Sequence, residues 1–295
     1  MRSLVLVTGA TGQVGSALVR RLVARGVPVR CLVRDPRRLG PERVRVQIAL
    51  GDLTDPPSFR NALRGVGAVV HLAGSGRDQP GGSIEELNAI ATWRMVGAAE
   101  RAGVERFVFF SALGASDHHR TRLHRSKALA ERVVRESSLR TTVFAPSLLY
   151  AEGGRWLTVH HRMALLPIAP MSGLGRARFQ PMWADDAAAC VEAVLAAEDP
   201  PATVELAGPD TLTHAQMVEL AVRGRPVVPV PTPVARGLLR LTEAAMRSAA
   251  PATWDEAEVL ECSMTTPAGT APAEALGVRP RRMAEVLGLA PARAR

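Results

Sequence analysis

Eight residues near the start of the chain, TGATGQVG (8–15), follow an apolar run, LVLV, and precede a segment whose apolar residues recur at helical spacing. Strand, glycine-rich turn and helix in that order build an anion site, because the first amides of the helix point at the turn and carry its partial positive charge. Gly9 permits the tight turn, Gly12 lets the backbone approach a pyrophosphate, and Gly15 allows the helix to pack closely on the strand. Three glycines alone would be a weak sign; the strand before and the helix after make it a strong one. Thr8, Gly9, Ala10, Thr11, Gly12, Gln13, Val14 and Gly15 are therefore the expected cradle for the phosphates of a dinucleotide.

The first half of the chain continues the same alternation. Strands are expected over Ser3–Thr8, Val29–Val33, Val44–Leu50, Ala68–Leu72, Arg106–Phe110 and Thr141–Phe144, and helices over Gln13–Arg25, Ser58–Leu63, Ile84–Ala102 and Leu123–Ser137. After about Pro146 prolines multiply. Arg178–Trp183 and Thr203–Leu206 read as strands, Asp185–Glu198 and Val234–Arg247 as helices, and a further helix begins at Thr213. At 295 residues the chain can bury a full core. The expectation is an α/β fold: a Rossmann doubly wound parallel sheet over residues 1–150, with a small C-terminal α/β lobe over 151–295, some of whose segments return to the core. Ala290–Arg295 are expected to fray.

In such a fold the carboxyl ends of the strands line the ligand crevice. Arg34, in CLVRDPRR (31–38), follows the second strand, where an acid would suit the ribose hydroxyls of NAD. A guanidinium there suits the 2′-phosphate of NADP instead, so NADP(H) is favoured over NAD(H). Asp35 leaves a ribose contact open, and Arg37 and Arg38 either assist or face solvent. Asp52 and Leu53 follow the third strand; Asp52 either approaches the adenine edge or serves the turn into the next helix. Ala73 and Gly74, after His71 and Leu72, would leave room for the dinucleotide at the end of the fourth.

The formal charge is +9, but it is dispersed along the chain and only 4% of residues are aromatic. That combination argues against nucleic acid, which needs a basic patch and stacking platforms. A dispersed basic surface biases the protein towards acidic partners or anionic headgroups. Of the 37 basic residues 36 are arginine; Lys127 is the single lysine and Tyr150 the single tyrosine. A lone lysine marks a place that needs a compact primary ammonium, or survives by chance. Cys31, Cys190 and Cys262 read as buried free thiols. His160 and His161 read as a surface helix rather than a metal site, and Asp185-Asp186 as a helix N-terminal cap, so no metal is expected. With no apolar run near the ~20 residues of a membrane span, and a strand at the very N-terminus, a cytoplasmic location is expected.

Taken in order, TGATGQVG, LVRDP, GDL, VVHLAG, FVFFSALGA (107–115), SKALAER (126–132) and PSLLY (146–150) resemble the atypical, NmrA-like short-chain dehydrogenases/reductases. RFQPMWADDAAACVEAVL (178–195) and VELAGPDTLTHAQMVEL (204–220) resemble the branch that contains the nucleotide-binding accessory subunit of respiratory complex I. The resemblance implies a Ser–Tyr–Lys apparatus with the tyrosine four residues before the lysine, and makes Ser111 the serine and Lys127 the lysine. It also places Lys127 and Pro146 among the cofactor contacts. Leu123 stands where the tyrosine belongs, and leucine cannot move a proton. His124 shares a helical face with Lys127 and is either a substitute acid or an exposed histidine in a polar stretch.

Two functions are compatible with this pattern. The resemblance implies an NAD(P)(H)-binding protein, and Leu123 removes the means for ordinary alcohol–ketone catalysis. Such a chain would hold the nucleotide and work through a protein partner or at the periphery of a membrane. The alternative is an NAD(P)H-dependent reductase of a quinone, a flavin or an activated alkene.

Overall fold

In this computed structural model, residues 3–289 are described, so the expected fraying of 290–295 lies outside the described residues. Ten elements alternate through the first half: β1 (Leu4–Thr8), α1 (Gln13–Ala24), β2 (Val29–Val33), β3 (Gln47–Leu50), α2 (Pro56–Phe59), β4 (Val66–His71), α3 (Ala91–Arg101), β5 (Arg106–Phe110), α4 (Arg122–Arg135) and β6 (Arg140–Pro146). The second half adds β7 (Leu149–Tyr150), α5 (Arg155–Met163), β8 (Ala169–Ser172), β9 (Arg178–Phe179), β10 (Met182–Trp183), α6 (Ala184–Ala196) and β11 (Thr203–Leu206). It then continues with β12 (Leu212–Thr213), α7 (His214–Ala221), β13 (Val227–Val230), α8 (Thr232–Met246) and α9 (Trp254–Val259).

Seven strands form one sheet in the order β11-β6-β5-β4-β1-β2-β3, and every pair in it is parallel. The inner strands of such a sheet are buried on both faces, which is why they read as continuous apolar runs, while the edge strand β3 stays largely exposed. The alternation of side chains sorts them. Val108 and Phe110 of β5 join Val5, Val7 and Val70 against Leu18 and Leu22 of α1 and Val191 of α6. Phe107 and Phe109 join Leu6 and Val69 against Met95 and Ala99 of α3 and Ala130 and Val134 of α4.

The second half does not form a lobe of its own throughout. β11 extends the central sheet in register with β6, with Thr203 opposite Val143 and Leu206 opposite Pro146. Helix α6 lies beside α1 on one face, where its run of alanines allows close approach and Glu192 accepts from Arg21 at 2.7 Å. The other segments gather at the carboxyl edge of the sheet. There β8 pairs with β13, and α5 and α7 pack with them around Met171, Val218 and Val222.

Three local expectations need correction. The strand expected from Val44 begins only at Gln47, because Gly40 (φ 62°) and Pro41 turn residues 36–44 into tight helical turns and leave Val44 exposed. The helix expected from Ile84 opens with one wide turn over Glu86–Ile90 before becoming regular at Ala91. Asp185 and Asp186 do not cap α6: its N-cap is Trp183, and the two acids occupy the first turn, where they still complement the dipole. Asp186 is buried and takes Arg281 at 2.7 Å, which fastens the C-terminal segment to this helix. Cys31, Cys190 and Cys262 are buried free thiols, and burial pushes the first two up to about 12.

Candidate functional site

Chain direction across the sheet reverses between β1 and β4, where successive crossovers leave in opposite directions and the loops part. A crevice opens at the strands' carboxyl ends at such a point. Here it is a cleft of about 250 Å³, and Thr8, Gly9, Thr11, Gly12, Arg34, Asp52, Leu53, Ala73 and Gly74 stand in its wall. Ala10, Val14 and Gly15 lie beneath it, buried in the turn and against the core. Leu32, Val33, Arg38, Gly51, Ser75, Gln79 and Leu87 also line the cleft. No spacing signal announced Gln79 or Leu87, since the path of the 74–87 loop is set by distant contacts.

The glycines behave as their spacing requires. Gly9 has φ 67°, and a β-carbon there would lie 2.7 Å from backbone atoms of Leu72 and Ala73. At Gly15 a β-carbon would lie 2.1 Å from the Gly9 carbonyl, so this glycine lets the helix close on its own turn. A β-carbon on exposed Gly12 would meet only the Gly9 carbonyl, at 3.1 Å, and a longer side chain would extend into the cleft. No side chain caps α1, and no acid stands in its first turn. An uncapped positive helix end facing a glycine-lined cleft fits the pyrophosphate of a dinucleotide.

At the end of β2, Arg34 is exposed in the cleft wall with Arg38 beside it. Asp35 is turned into a local loop: it accepts from the backbone and the guanidinium of Arg37, each at 3.0 Å. Those bonds hold its carboxyl below the usual carboxylate range, and it does not line the cleft. Asp52 serves its turn, accepting from Thr54 N and Oγ1 at 2.9 Å, and also faces the cleft.

Lys127 lies behind Gly74: a β-carbon on that glycine would come within 3.2 Å of Nζ and 2.6 Å of the Asn88 side-chain oxygen, Oδ1. The ammonium donates to the Phe110 carbonyl at 2.7 Å and lies 5.0 Å above the Phe109 ring. Burial lowers it to about 8. Next to it His71, bonded to Thr8 Oγ1 at 2.8 Å, is pushed down to about 3 by burial and by the Lys127 charge. Ser111, at the end of β5, is buried with its hydroxyl unpartnered among the described residues. Pro146 is buried at the end of β6, where its carbonyl accepts from Leu113 N. Asn88, which the sequence reading passed over, sits in the wide turn and donates to the carbonyls of Ser75 and Ile84, each at 2.8 Å.

The remaining expectations about titrating groups change. His124 is not exposed: it is fully buried, bonded to Thr121 Oγ1 at 2.7 Å, stacked on His119, and lowered to about 4 by burial. Tyr150 is also fully buried, against Trp183, and burial raises its hydroxyl well above the usual tyrosine range. His161 is exposed on α5, but His160 faces inward. Among the described residues, no group of three or more His, Cys, Asp or Glu side chains could hold a metal ion.

A second cavity, of about 420 Å³, adjoins this region. Gln13, Gly76 and Leu123 form one end of its wall, and Leu148, Val159, Met163, Met171, Leu238 and Leu239 make much of the rest apolar. A further hollow of about 630 Å³, between Ser172–Ala177 and Pro229–Thr232, holds none of the residues singled out from the sequence.

Residues 9–162 match the model of a family described as NAD(P)H-binding. The mitochondrial NADH dehydrogenase [ubiquinone] 1 alpha subcomplex subunit 9 of Arabidopsis thaliana is 30% identical over 249 residues, 79% of this chain and 61% of that protein. Photosystem II assembly factor Ycf39 of Cyanophora paradoxa is 32% identical over 141 residues, 48% of this chain and 44% of the relative. The chain thus spans about half the length of these relatives. Among solved structures, UDP-glucose 4-epimerase of Thermus thermophilus in complex with NAD superposes with a TM-score of 0.68 at 19% identity, over 94% of each chain, a likeness of fold. The chain belongs to the NAD(P)H-binding, NmrA-like family of atypical short-chain dehydrogenases/reductases.

Proposed function

We propose that the protein binds NADP(H) in preference to NAD(H), does not perform tyrosine-dependent alcohol–ketone chemistry, and holds an apolar ligand in the cavity beside the cofactor cleft. The observation that carries this reading is Leu123: it stands one helical turn before Lys127 and forms part of the apolar cavity wall. A tyrosine there would supply a proton to a substrate oxygen; leucine supplies only contact. When bound, the nicotinamide supplies a hydride. The acceptors that suit this wall are those that need no proton from the protein, such as a quinone, a flavin or an activated alkene. Lys127 would hold the cofactor's ribose from behind Gly74. The exposed guanidinium of Arg34 supports the NADP preference, and so does the engagement of Asp35 with Arg37.

Purified protein tests this directly. Nucleotide released on denaturation should be NADP(H), and NADPH should be consumed with quinones but not with simple alcohols, ketones or aldehydes. Robust turnover of a simple ketone would refute the assignment of Leu123.

A second reading is favoured by α8, which exposes Val234, Leu238 and Leu241 along one stripe and carries the exposed Arg240, with the exposed Arg247 directly after its end. An exposed apolar stripe on an arginine-bearing helix suits the surface of an anionic bilayer. None of the described helices is long and apolar enough to cross one. Leu238 belongs both to this exposed stripe and to the cavity wall, so the two readings describe one protein that takes its ligand from a lipid phase. Co-sedimentation with anionic vesicles, weakening as salt rises, is the check.

A further inference from the structure

The apolar cavity carries hydrogen-bonding capacity that nothing among the described residues uses. His214, the first residue of α7, is only 5% exposed and lines the cavity, yet neither of its ring nitrogens has a partner among the described residues. Trp156, on the same wall, buries its indole N–H with no acceptor among the described residues. His160 stands between them, its Nδ1 bonded to the Trp156 carbonyl at 2.7 Å, its ring 4.3 Å from the Trp156 ring and edge-on to His214 at 6.4 Å. Buried polar groups are almost always paired, and each one left alone costs about 1–3 kcal/mol. Four such atoms, the two His214 nitrogens, the Trp156 N–H and Gln13 Oε1, gathered in one largely apolar wall are the mark of a site that a ligand completes.

We infer that His214 and Trp156, steadied by His160, form the polar recognition point of this cavity, and that they select a neutral, ring-sized ligand bearing a carbonyl or hydroxyl oxygen, of the quinone–hydroquinone class. The inference rests on the reading of the cavity given above and specifies what occupies it. Charge decides against an anionic ligand. The cavity's guanidinium, Arg155, is already held by Glu256 at 2.8 Å and by the carbonyls of Ala250 and Pro251. Burial keeps His214 neutral, lowered to about 4, and the neighbouring His160 pushes in the same direction. A neutral imidazole offers one N–H and one bare nitrogen. The N–H groups of His214 and Trp156 suit a quinone carbonyl, and the bare nitrogen suits a hydroquinone hydroxyl.

Calorimetric titration of the full chain loaded with NADP⁺ tests the inference without turnover. The ligands are 2,3-dimethyl-1,4-naphthoquinone, whose blocked ring positions prevent thiol addition, and 2,3-dimethylnaphthalene, which lacks the oxygens. The quinone should bind at least about tenfold more tightly, the worth of one good hydrogen bond. His214→Phe and Trp156→Phe should each narrow that gap, leaving the affinities for the hydrocarbon and for NADP⁺ unchanged. Equal binding of the two ligands to the wild-type chain overturns the inference, as does a gap that survives in both folded variants. If one variant fails to fold, the other variant and the wild-type comparison decide. Failure of both ligands to bind a chain that retains NADP⁺ would instead sink the cavity reading itself.

Discussion

Replacing Lys127 by methionine separates what this residue does for the fold from what it does for the cofactor. The ammonium is lowered from an ordinary 10.5 to about 8 by burial, with one bond to the Phe110 carbonyl. At about 1.4 kcal/mol per tenfold change in proton affinity, keeping it charged in the fold costs about 3 kcal/mol. Methionine has nearly the same length and no charge, so it removes that cost, but it leaves the Phe110 carbonyl short of a partner, worth about 1–3 kcal/mol. The net expectation at pH 7 is a variant of equal or slightly greater stability that binds NADP(H) more weakly. The pH dependence follows from the sign of the shift. Below about 8 both folded and unfolded wild-type chains are protonated and the full cost is present. Between about 8 and 10.5 the folded chain gives up the proton first, so the wild type gains stability as pH rises. Methionine cannot, and between pH 7 and 9.5 the variant should lose about 2 kcal/mol relative to the wild type. Urea unfolding of both proteins at the two pH values measures this, beside a nucleotide titration at pH 7. A variant with a pH-independent stability difference, or with undiminished nucleotide affinity, would refute the reasoning.

Three other substitutions probe the cleft. Arg34→Ala should reduce the preference for NADP(H) over NAD(H) by about tenfold to a hundredfold, read by titration with both cofactors, because a charge-assisted contact to phosphate is lost. Gly12→Val should abolish nucleotide binding while the chain stays folded by circular dichroism, since the branched side chain enters the cleft. Leu123→Tyr should create measurable reduction of simple carbonyl compounds, assayed by NADPH oxidation; a folded, cofactor-binding variant at background would show that the cavity, not the missing proton donor, is the limit.

The parts of this protein that follow from short-range patterns were legible in its sequence. Strand β1, the glycine turn and α1 lie within twenty-odd consecutive residues, and each glycine has a local reason to be there. The sheet strands announced themselves because burial on both faces demands unbroken apolar runs. What escaped depends on contacts between distant segments. His124 sits in a stretch rich in polar residues and reads as exposed, but the packing of α4 turns it inward onto Thr121 and His119. Asn88 gave no signal, since only the fold brings it beside Gly74 and Lys127. The cavity wall is assembled from residues between Gln13 and Leu260, and no spacing rule links Trp156 to His214.

The pairing of α1 with α6 has a consequence for how the chain matures. The phosphate-binding turn is made well before the helix that backs it: Arg21 and Glu192, which join the two, are 171 residues apart. β11, which completes the sheet beyond β6, comes later still. During synthesis the cradle must therefore wait, with one side of α1 and the edge of β6 uncovered, until α6 and β11 have left the ribosome. The nascent chain would become competent for its nucleotide late and in a single step, and a nucleotide that binds only the closed form would draw that step to completion.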